Sequence, residues 1–359
     1  GFLLYGRLDG LFAIPWRPEQ NNLDGVVPIT LPEFPRLENE GGSDFAVSAE
    51  GTLACVSGGP ARIARRIVWV DRGGDVESLP LPERDYEAVA ISPDGKQVAV
   101  QIQDGTIGLW LYDLSRKTLS PFATTDGSSQ SPVWTPDGSR IIYRGTRNGH
   151  RNVFWKSADG TGPEERLTTK EEVVQTPTSV SPDGHWLVFT EGGGQALGNN
   201  MTWTLRLDGD HAMRSILDKG CLNAHISPDG RWLAYQSFAS GRGEIFVEAF
   251  PGPGPRRQVS VGGGEAPLWS HDGRELFYTT LDKLIAVSVA GGSDFAPGPP
   301  RVLHEGRFRT SLNANTPYDV TADGRRFLRV RSIEPERAVT RIDVVLNWFE
   351  ELRQVAAGK

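Results

Sequence analysis

Seven polar residues stand at one recurring place in this chain and would converge on a common axis: Asp44, Glu87, Gln130, Gln175, Asn223, Glu265 and Asn315. Carboxylate and amide oxygens are the ligands that Ca²⁺ prefers, so Asp44, Glu87, Asn223 and Glu265 form the candidate metal set and the whole ring a candidate ligand site. Two residues close by break the repeat, because His225 and Asp319 stand where Ala46, Ala90, Val133, Ser179 and Leu268 occur elsewhere. In a catalytic reading His225 is a base beside the cation, and Asp319 orients it or binds the cation. The alternative makes both residues hydrogen-bonding groups between neighbouring repeats, and the ring the polar entrance of a water-filled channel. Basic residues that would rim this mouth include Arg65, Arg144, Arg147, His150 and Arg151. A cationic rim around an acidic mouth suits an anionic or mixed-charge partner such as a peptide; scattered surface charge accounts for the same residues without one.

These residues are placed by a four-residue turn that occurs seven times: Ser48-Ala-Glu-Gly51, Ser92-Pro-Asp-Gly95, Thr135-Pro-Asp-Gly138, Ser181-Pro-Asp-Gly184, Ser227-Pro-Asp-Gly230, Ser270-His-Asp-Gly273 and Thr321-Ala-Asp-Gly324. The closing glycines lie 44, 43, 46, 46, 43 and 51 residues apart, the period of a four-stranded propeller blade. Proline presets the second turn position, aspartate can accept from backbone amides, and glycine takes positive φ. In the third repeat the pattern predicts strands at 132–134, 140–143, 152–156 and 165–168, with the tetrad joining the first two. The six tetrad aspartates are therefore read as turn residues and not as a metal site. Trp134 and Trp269, at equivalent places, read as core.

The expectation is an all-β closed propeller of four-stranded antiparallel blades, seven by the count of innermost strands, with eight as the alternative. One domain spans 1–359: closing strands at 1–34, seven repeats at 35–330, and a closing strand with a short helix at 331–359. Composition agrees, with 42 Gly and 25 Pro for turns and 38% hydrophobic residues for sheet interfaces. A net charge of −7 argues against a nucleic-acid partner. No apolar run is long enough to span a membrane, and the start at Gly1 reads as that of a fragment, so a targeting or membrane segment could have stood upstream. Gly-x-Ser-x-Gly, His-Glu-x-x-His, Cys-x-x-Cys and phosphate-loop patterns do not occur, which counts against serine-hydrolase, zinc, redox and nucleotide chemistry.

Stretches such as Ser227-Pro-Asp-Gly-Arg-Trp-Leu-Ala-Tyr235 resemble the TolB-type WD-like propeller repeats of bacteria. Leu11-Phe-Ala-Ile-Pro-Trp16, Val68-Trp-Val-Asp-Arg72, Glu248-Ala-Phe-Pro-Gly-Pro-Gly254 and Val344-Val-Leu-Asn-Trp-Phe-Glu-Glu-Leu352 look like the extracytoplasmic propeller region of acidobacterial-type receptor serine/threonine kinases. No kinase signature is present in the chain itself. The resemblance implies a periplasmic or extracytoplasmic sensor or interaction role, non-catalytic, with a peptide, protein or small molecule at the channel mouth and a membrane-anchored kinase domain upstream. A cytoplasmic location stays open. Unrelated propeller hydrolases of the lactonase and phosphotriesterase kind hold Ca²⁺ in a comparable ring, which makes a metal-dependent hydrolase the alternative.

Overall fold

The computed structural model describes residues 2–7, 10–15, 27–29, 45–56, 64–123, 127–171, 173–192, 199–217, 219–252, 254–292, 294–306, 308, 317–333, 342–350 and 352. They are almost entirely strand and turn. The chain divides into two compact units, one formed by 1–63 with 334–359 and the other by 64–333.

The 64–333 unit holds six sets of four strands, each the length of one repeat. Sheet 1 comprises Tyr86–Ile91, Gln97–Asp104, Thr106–Asp113 and Thr118–Ala123. Sheet 2 comprises Ser129–Trp134, Arg140–Arg147, His150–Ser157 and Glu165–Arg166. Sheet 3 comprises Val174–Val180, Trp186–Gly192, Met201–Arg206 and Met213–Ser215, and one parallel bridge, Arg151 to Val174, joins it to sheet 2. Sheet 4 comprises Cys221–Ile226, Trp232–Ser237, Glu244–Ala249 and Arg257–Gln258. Sheet 5 comprises Glu265–Trp269, Glu275–Thr279, Lys283–Ala290 and Ala296–Glu305. Sheet 6 is shared between chain-distant segments: Tyr318–Val320 and Arg326–Ser332 pair with Arg65–Asp71 and Val76–Ser78.

Sheet 6 revises the strand count expected from the sequence. The apolar stretch Ile67-Val-Trp-Val70 does not complete the first tetrad repeat; it pairs antiparallel with the strand that follows the last tetrad. Six tetrads thus build six sheets here, and the tetrad at Ser48–Gly51 belongs to the other unit. This pairing ties the last repeat of the unit to its first strand.

Apolar clusters join each sheet to the next. Leu109 and Phe122 of sheet 1 meet Trp134 and Tyr143 of sheet 2. Ile142 and Val153 of sheet 2 meet Leu187 and Phe189 of sheet 3, and Val188 of sheet 3 meets Ala224 and Tyr235 of sheet 4. Val247 of sheet 4 meets Leu276 of sheet 5, and Phe277 of sheet 5 meets Tyr318 and Phe327 of sheet 6. Finally Ile67, Trp69, Leu328 and Val330 of sheet 6 pack on Tyr86, Val98 and Tyr112 of sheet 1, so the succession returns to its start. Burial of each strand on both faces is what this arrangement demands of the Val-, Ile- and aromatic-rich second strands.

In the smaller unit, Phe2–Arg7, Gly10–Pro15 and Val27–Ile29 form one three-stranded sheet, and Phe45–Val47, Leu53–Val56 and Ile342–Val345 another. Leu11, Leu53, Trp348 and Leu352 share its core. Gly51, at φ +89°, lies so close to the Phe349 ring that a β-carbon would overlap it. Residues 348–350 are helical, which is the start of the expected C-terminal helix; most of its remainder lies outside the described residues.

Candidate functional site

Every first strand in sheets 1 to 5 enters from the mouth end, bulges, and runs to its tetrad. The register slips between Tyr86 and Ala88, Gln130 and Val133, Pro177 and Ser179, Leu222 and His225, and Glu265 and Leu268. Ser131, Asn223 and Ala266 take positive φ at the slip, an uncommon state for residues other than glycine. The bulge re-aims the residues before it. It also means the expected ring is not in one register: Glu87, Gln130 and Glu265 stand five residues before their tetrads, Gln175 six and Asn223 four. Asp44 and Asn315 lie outside the described residues.

The five described ring members do not converge on one cation; most are bound by neighbours. Glu87 accepts from Nη1 of the buried Arg65, which also donates to Asp85 Oδ1 at 2.5 Å and the Tyr86 carbonyl at 2.9 Å. Gln130 accepts from Arg144 Nη2 and donates to Ser128 Oγ at 3.1 Å. Gln175, fully buried, accepts from Asn152 Nδ2 and donates to Glu191 Oε2, both at 3.1 Å. Asn223 donates to Gln236 Oε1 at 3.3 Å. A bound Ca²⁺ would need Glu87 to release Arg65, so this donor set does not fit a cation as it stands. Among the described residues no group of three His, Cys, Asp or Glu side chains is arranged to hold a metal.

Two partly buried charges at the mouth are not neutralised by a described partner. Glu265 has a buried Oε2 without a hydrogen-bond partner, and burial raises its carboxyl above the usual range. Arg144 donates only to neutral oxygens, Thr176 Oγ1 at 3.0 Å and Gln130 Oε1. Burial, and then the Arg151 guanidinium, lower its pKa to about 10. The remaining rim residues are engaged differently. Arg147 is locked by Glu164, with Nε to Oε1 and Nη2 to Oε2 at 2.7 Å, while His150 faces Glu171 at 3.8 Å and Arg151 is exposed. Arg144, Arg147, His150 and Arg151 belong to two strands, not to the loop expected between them. Asn148-Gly149, both at positive φ, closes a two-residue hairpin there.

The catalytic pair meets a different fate at the opposite, tetrad end. Asp319 Oδ2 accepts from the Ile91 amide of sheet 1 at 2.7 Å, and its Oδ1 from the Val320 amide at 2.8 Å. Ser179, at the equivalent place in sheet 3, accepts from the Ile226 amide of sheet 4 at 3.1 Å, so both residues latch one sheet to the next. Burial raises the Asp319 carboxyl to about 6 against the effect of those amides. His225 lines a cavity of about 270 Å³ with His271, Trp269 and the tetrad prolines Pro136, Pro182 and Pro228. Burial lowers its imidazole to about 4, which keeps it neutral. Neither residue stands among the mouth groups, so the sequence-based pairing of His225 with a mouth-bound cation is not realised.

The tetrads themselves behave alike. Asp94, Asp137, Asp183, Asp229, Asp272 and Asp323 each accept, through Oδ1, from the tetrad hydroxyl and from the amide two residues on. The turn is closed by its own aspartate. Trp134 and Trp269 donate Nε1 to the carbonyls of Ala90 and His225 in the preceding sheet, both at 3.0 Å. Sequence reasoning named Arg144 only among the basic rim residues and missed its burial among neutral partners, the Arg65 to Glu87 pair and the bulges. The aligned position nine residues after each tetrad start, Gln101, Arg144, Thr190, Gln236 and Thr279, held the signal for the first, since only one of the five is charged.

Comparison with known proteins agrees with the repeat. Residues 83–212 match the family model of the TolB beta propeller domain. An uncharacterized protein of Agrobacterium fabrum is 27% identical over 212 residues, covering 52% of this chain and 67% of that protein. The Tol-Pal system protein TolB of Anaeromyxobacter dehalogenans is 29% identical over 114 residues, 31% of this chain and only 26% of that protein. A solved structure of a TolB candidate from Agrobacterium tumefaciens superposes with a TM-score of 0.62 at 17% identity, over 76% of this chain and 99% of its own. The repeats within residues 83–212 are of the TolB propeller type. Among the described residues no helix is long and apolar enough to cross a membrane.

Proposed function

We propose that residues 64–333 form a closed six-bladed propeller that binds a protein, peptide or small molecule at its mouth without catalysing a reaction on it. The observation that carries this reading is the state of the mouth. Most of its described charges pair with one another, leaving Glu265 and Arg144 as partly buried charges without an opposite described partner. Charges held half-buried without an opposite partner cost stability, and a ligand that supplies the partner recovers it. The TolB-type repeats and the relative from a Tol-Pal system support an extracytoplasmic setting, and the kinase-like stretches support attachment to an upstream membrane-anchored kinase.

The test uses the two ends of the ring against each other. A partner captured from a bacterial envelope extract by the wild-type chain is expected to be lost with Arg151→Glu at the mouth and retained with Arg325→Glu at the tetrad end. Loss from both variants, or from neither, removes the mouth as the binding face. The Ca²⁺-dependent hydrolase reading rests on the free oxygen of Glu265 alone. It requires a melting temperature that falls with a calcium-selective chelator and recovers with added Ca²⁺ in the wild type but not in Glu265→Ala.

A further inference from the structure

The charges at the mouth fall into two classes. Most are closed pairs: Arg65 with Asp85 and Glu87, Lys170 with Glu191 at 2.5 Å, and Arg242 with Glu244 at 2.8 Å. Among the described residues Arg144 and Glu265 are the partly buried open ones, each held by the strand that brings it to the mouth. Arg144 sits on the second strand of sheet 2 and Glu265 opens the first strand of sheet 5. With sheet packing running in order from 1 to 6 and back to 1, sheets 2 and 5 stand across the ring from each other.

Each pole has a second feature. Beside Arg144 lies Arg151, exposed and without a described carboxylate, so two guanidinium groups share one side of the mouth. A carboxylate is the planar acceptor that guanidinium groups match best. Around Glu265 the chain displays two aliphatic side chains to solvent: Val261, four residues before it, is 86% exposed, and Leu281, in the hairpin after its partner strand, is 83% exposed. Large aliphatics this exposed next to an unpaired carboxylate suit a group that is cationic at its tip and apolar beside it.

Resting on the mouth as the binding face, we infer that it takes a zwitterionic short peptide, with the free carboxylate on Arg144 and Arg151, the free amino group on Glu265, and an apolar first side chain against Val261 and Leu281. An amino terminus followed by an apolar residue supplies the cation and the hydrophobic contact at one pole. The carboxyl terminus supplies the anion at the other. Binding closes both open charges at once, and neither half of the ligand does so alone.

The probe is the series Leu-(Gly)n with n from 1 to 5, each as free peptide, N-acetyl peptide and C-terminal amide, titrated calorimetrically into the whole chain. At one length or more the free peptide is expected to bind about tenfold or more tightly than either blocked form, the value of one charge-assisted contact. Arg144→Gln should bring the free peptide down to the level of the amide, Glu265→Gln to that of the N-acetyl form, and Arg144→Lys should restore part of the loss. Unchanged melting curves keep these variants from being mistaken for misfolding; if Arg144→Gln unfolds, Arg151→Gln makes the same test at an exposed position. A series without preference for the free form, or a preference that survives Arg144→Gln, overturns the inference. An Arg151-dependent macromolecular capture with a flat peptide series would refute the zwitterion and leave the mouth as the binding face.

Discussion

At the tetrad end, each of the six sheets of the 64–333 unit solves the same problem in the same way, while at the mouth each differs from its neighbours. The Asp229 carboxylate accepts from Ser227 Oγ at 2.5 Å and from the Arg231 amide at 3.1 Å, and Asp323 does nearly the same with Thr321 and Arg325. No such equivalence links Glu87, bound to Arg65, with Glu265, whose buried oxygen has no partner. A turn that only has to reverse the chain can be copied into every blade. A surface that has to discriminate among ligands gains from having each blade different, because specificity comes from where charges are left open as much as from where they are closed.

The largest effect should come from the one corner of the mouth where this contrast is weakest. Arg65 comes from sheet 6 and its partners Asp85 and Glu87 from the entry to sheet 1, so that ion pair ties the last sheet to the first. Arg65→Met leaves the buried Glu87 carboxylate without its cation and is expected to cost about 3 to 5 kcal/mol, as removal of one member of a buried pair does. Replacing Glu87 by Leu in the same chain should recover much of that loss. A chemical denaturation series measures both. A loss below about 1 kcal/mol for Arg65→Met would place Glu87 with the open charges and weaken the division of the mouth into closed and open groups.

A medium effect belongs to the tetrad end, where His225 and Asp319 depart from the repeat. Their titrations oppose each other. The folded Asp319 carboxyl is raised to about 6, so its contribution to stability is full below its unfolded value of about 3.9 and is lost as pH rises through about 6. The folded His225 imidazole is lowered to about 4, so its contribution is full above about 6.5 and is lost as pH falls toward about 4. Each amounts to a free-energy change on the order of 2 kcal/mol across that window. Asp319→Asn should therefore remove a fall in melting temperature on going from pH 4 to pH 6, and His225→Gln should remove a fall in the other direction. Parallel profiles for wild type and Asp319→Asn would mean that Asp319 is not buried as a latch between sheets 6 and 1.

The fold was largely legible because its signal is repeated. Ser-Pro-Asp-Gly at regular spacing, followed by Trp232-Leu-Ala-Tyr235 or Arg140-Ile-Ile-Tyr143, places first and second strands in six repeats, and the strands stand there. The strand that completes sheet 6 was not legible in the same way. Ile67–Val70 has the same composition whether it pairs with the strand after Gly51 or with Phe327–Val330, and only the alternative partner decides. The mouth was half legible. Residue type marked Glu87, Gln130, Gln175, Asn223 and Glu265 as polar strand entries, but a bulge moves a side chain to a new direction without a sequence signature as strong as a tetrad. Ser131 and Asn223 could have suggested one, since serine and asparagine tolerate such turns better than β-branched residues; Ala266 could not.

The smallest effect tests the contrast most directly, because it asks whether an open charge is there for the fold at all. Burial raises the Glu265 carboxyl, so its ionised form works against folding, and that penalty grows as pH rises through its folded pKa. Glu265→Gln keeps the shape and an oxygen acceptor while removing the charge. It is expected to stabilise the chain by about 0.5 to 1 kcal/mol at neutral pH and by nothing at a pH where Glu265 is already protonated, as measured by paired melting curves. A stabilised protein that no longer binds would show a charge retained at a cost to the scaffold, which a purely structural residue would not require. A destabilised variant at neutral pH would instead place Glu265 among the groups that hold the sheets together, and Arg144 would then be the one partly buried open charge among the described mouth residues.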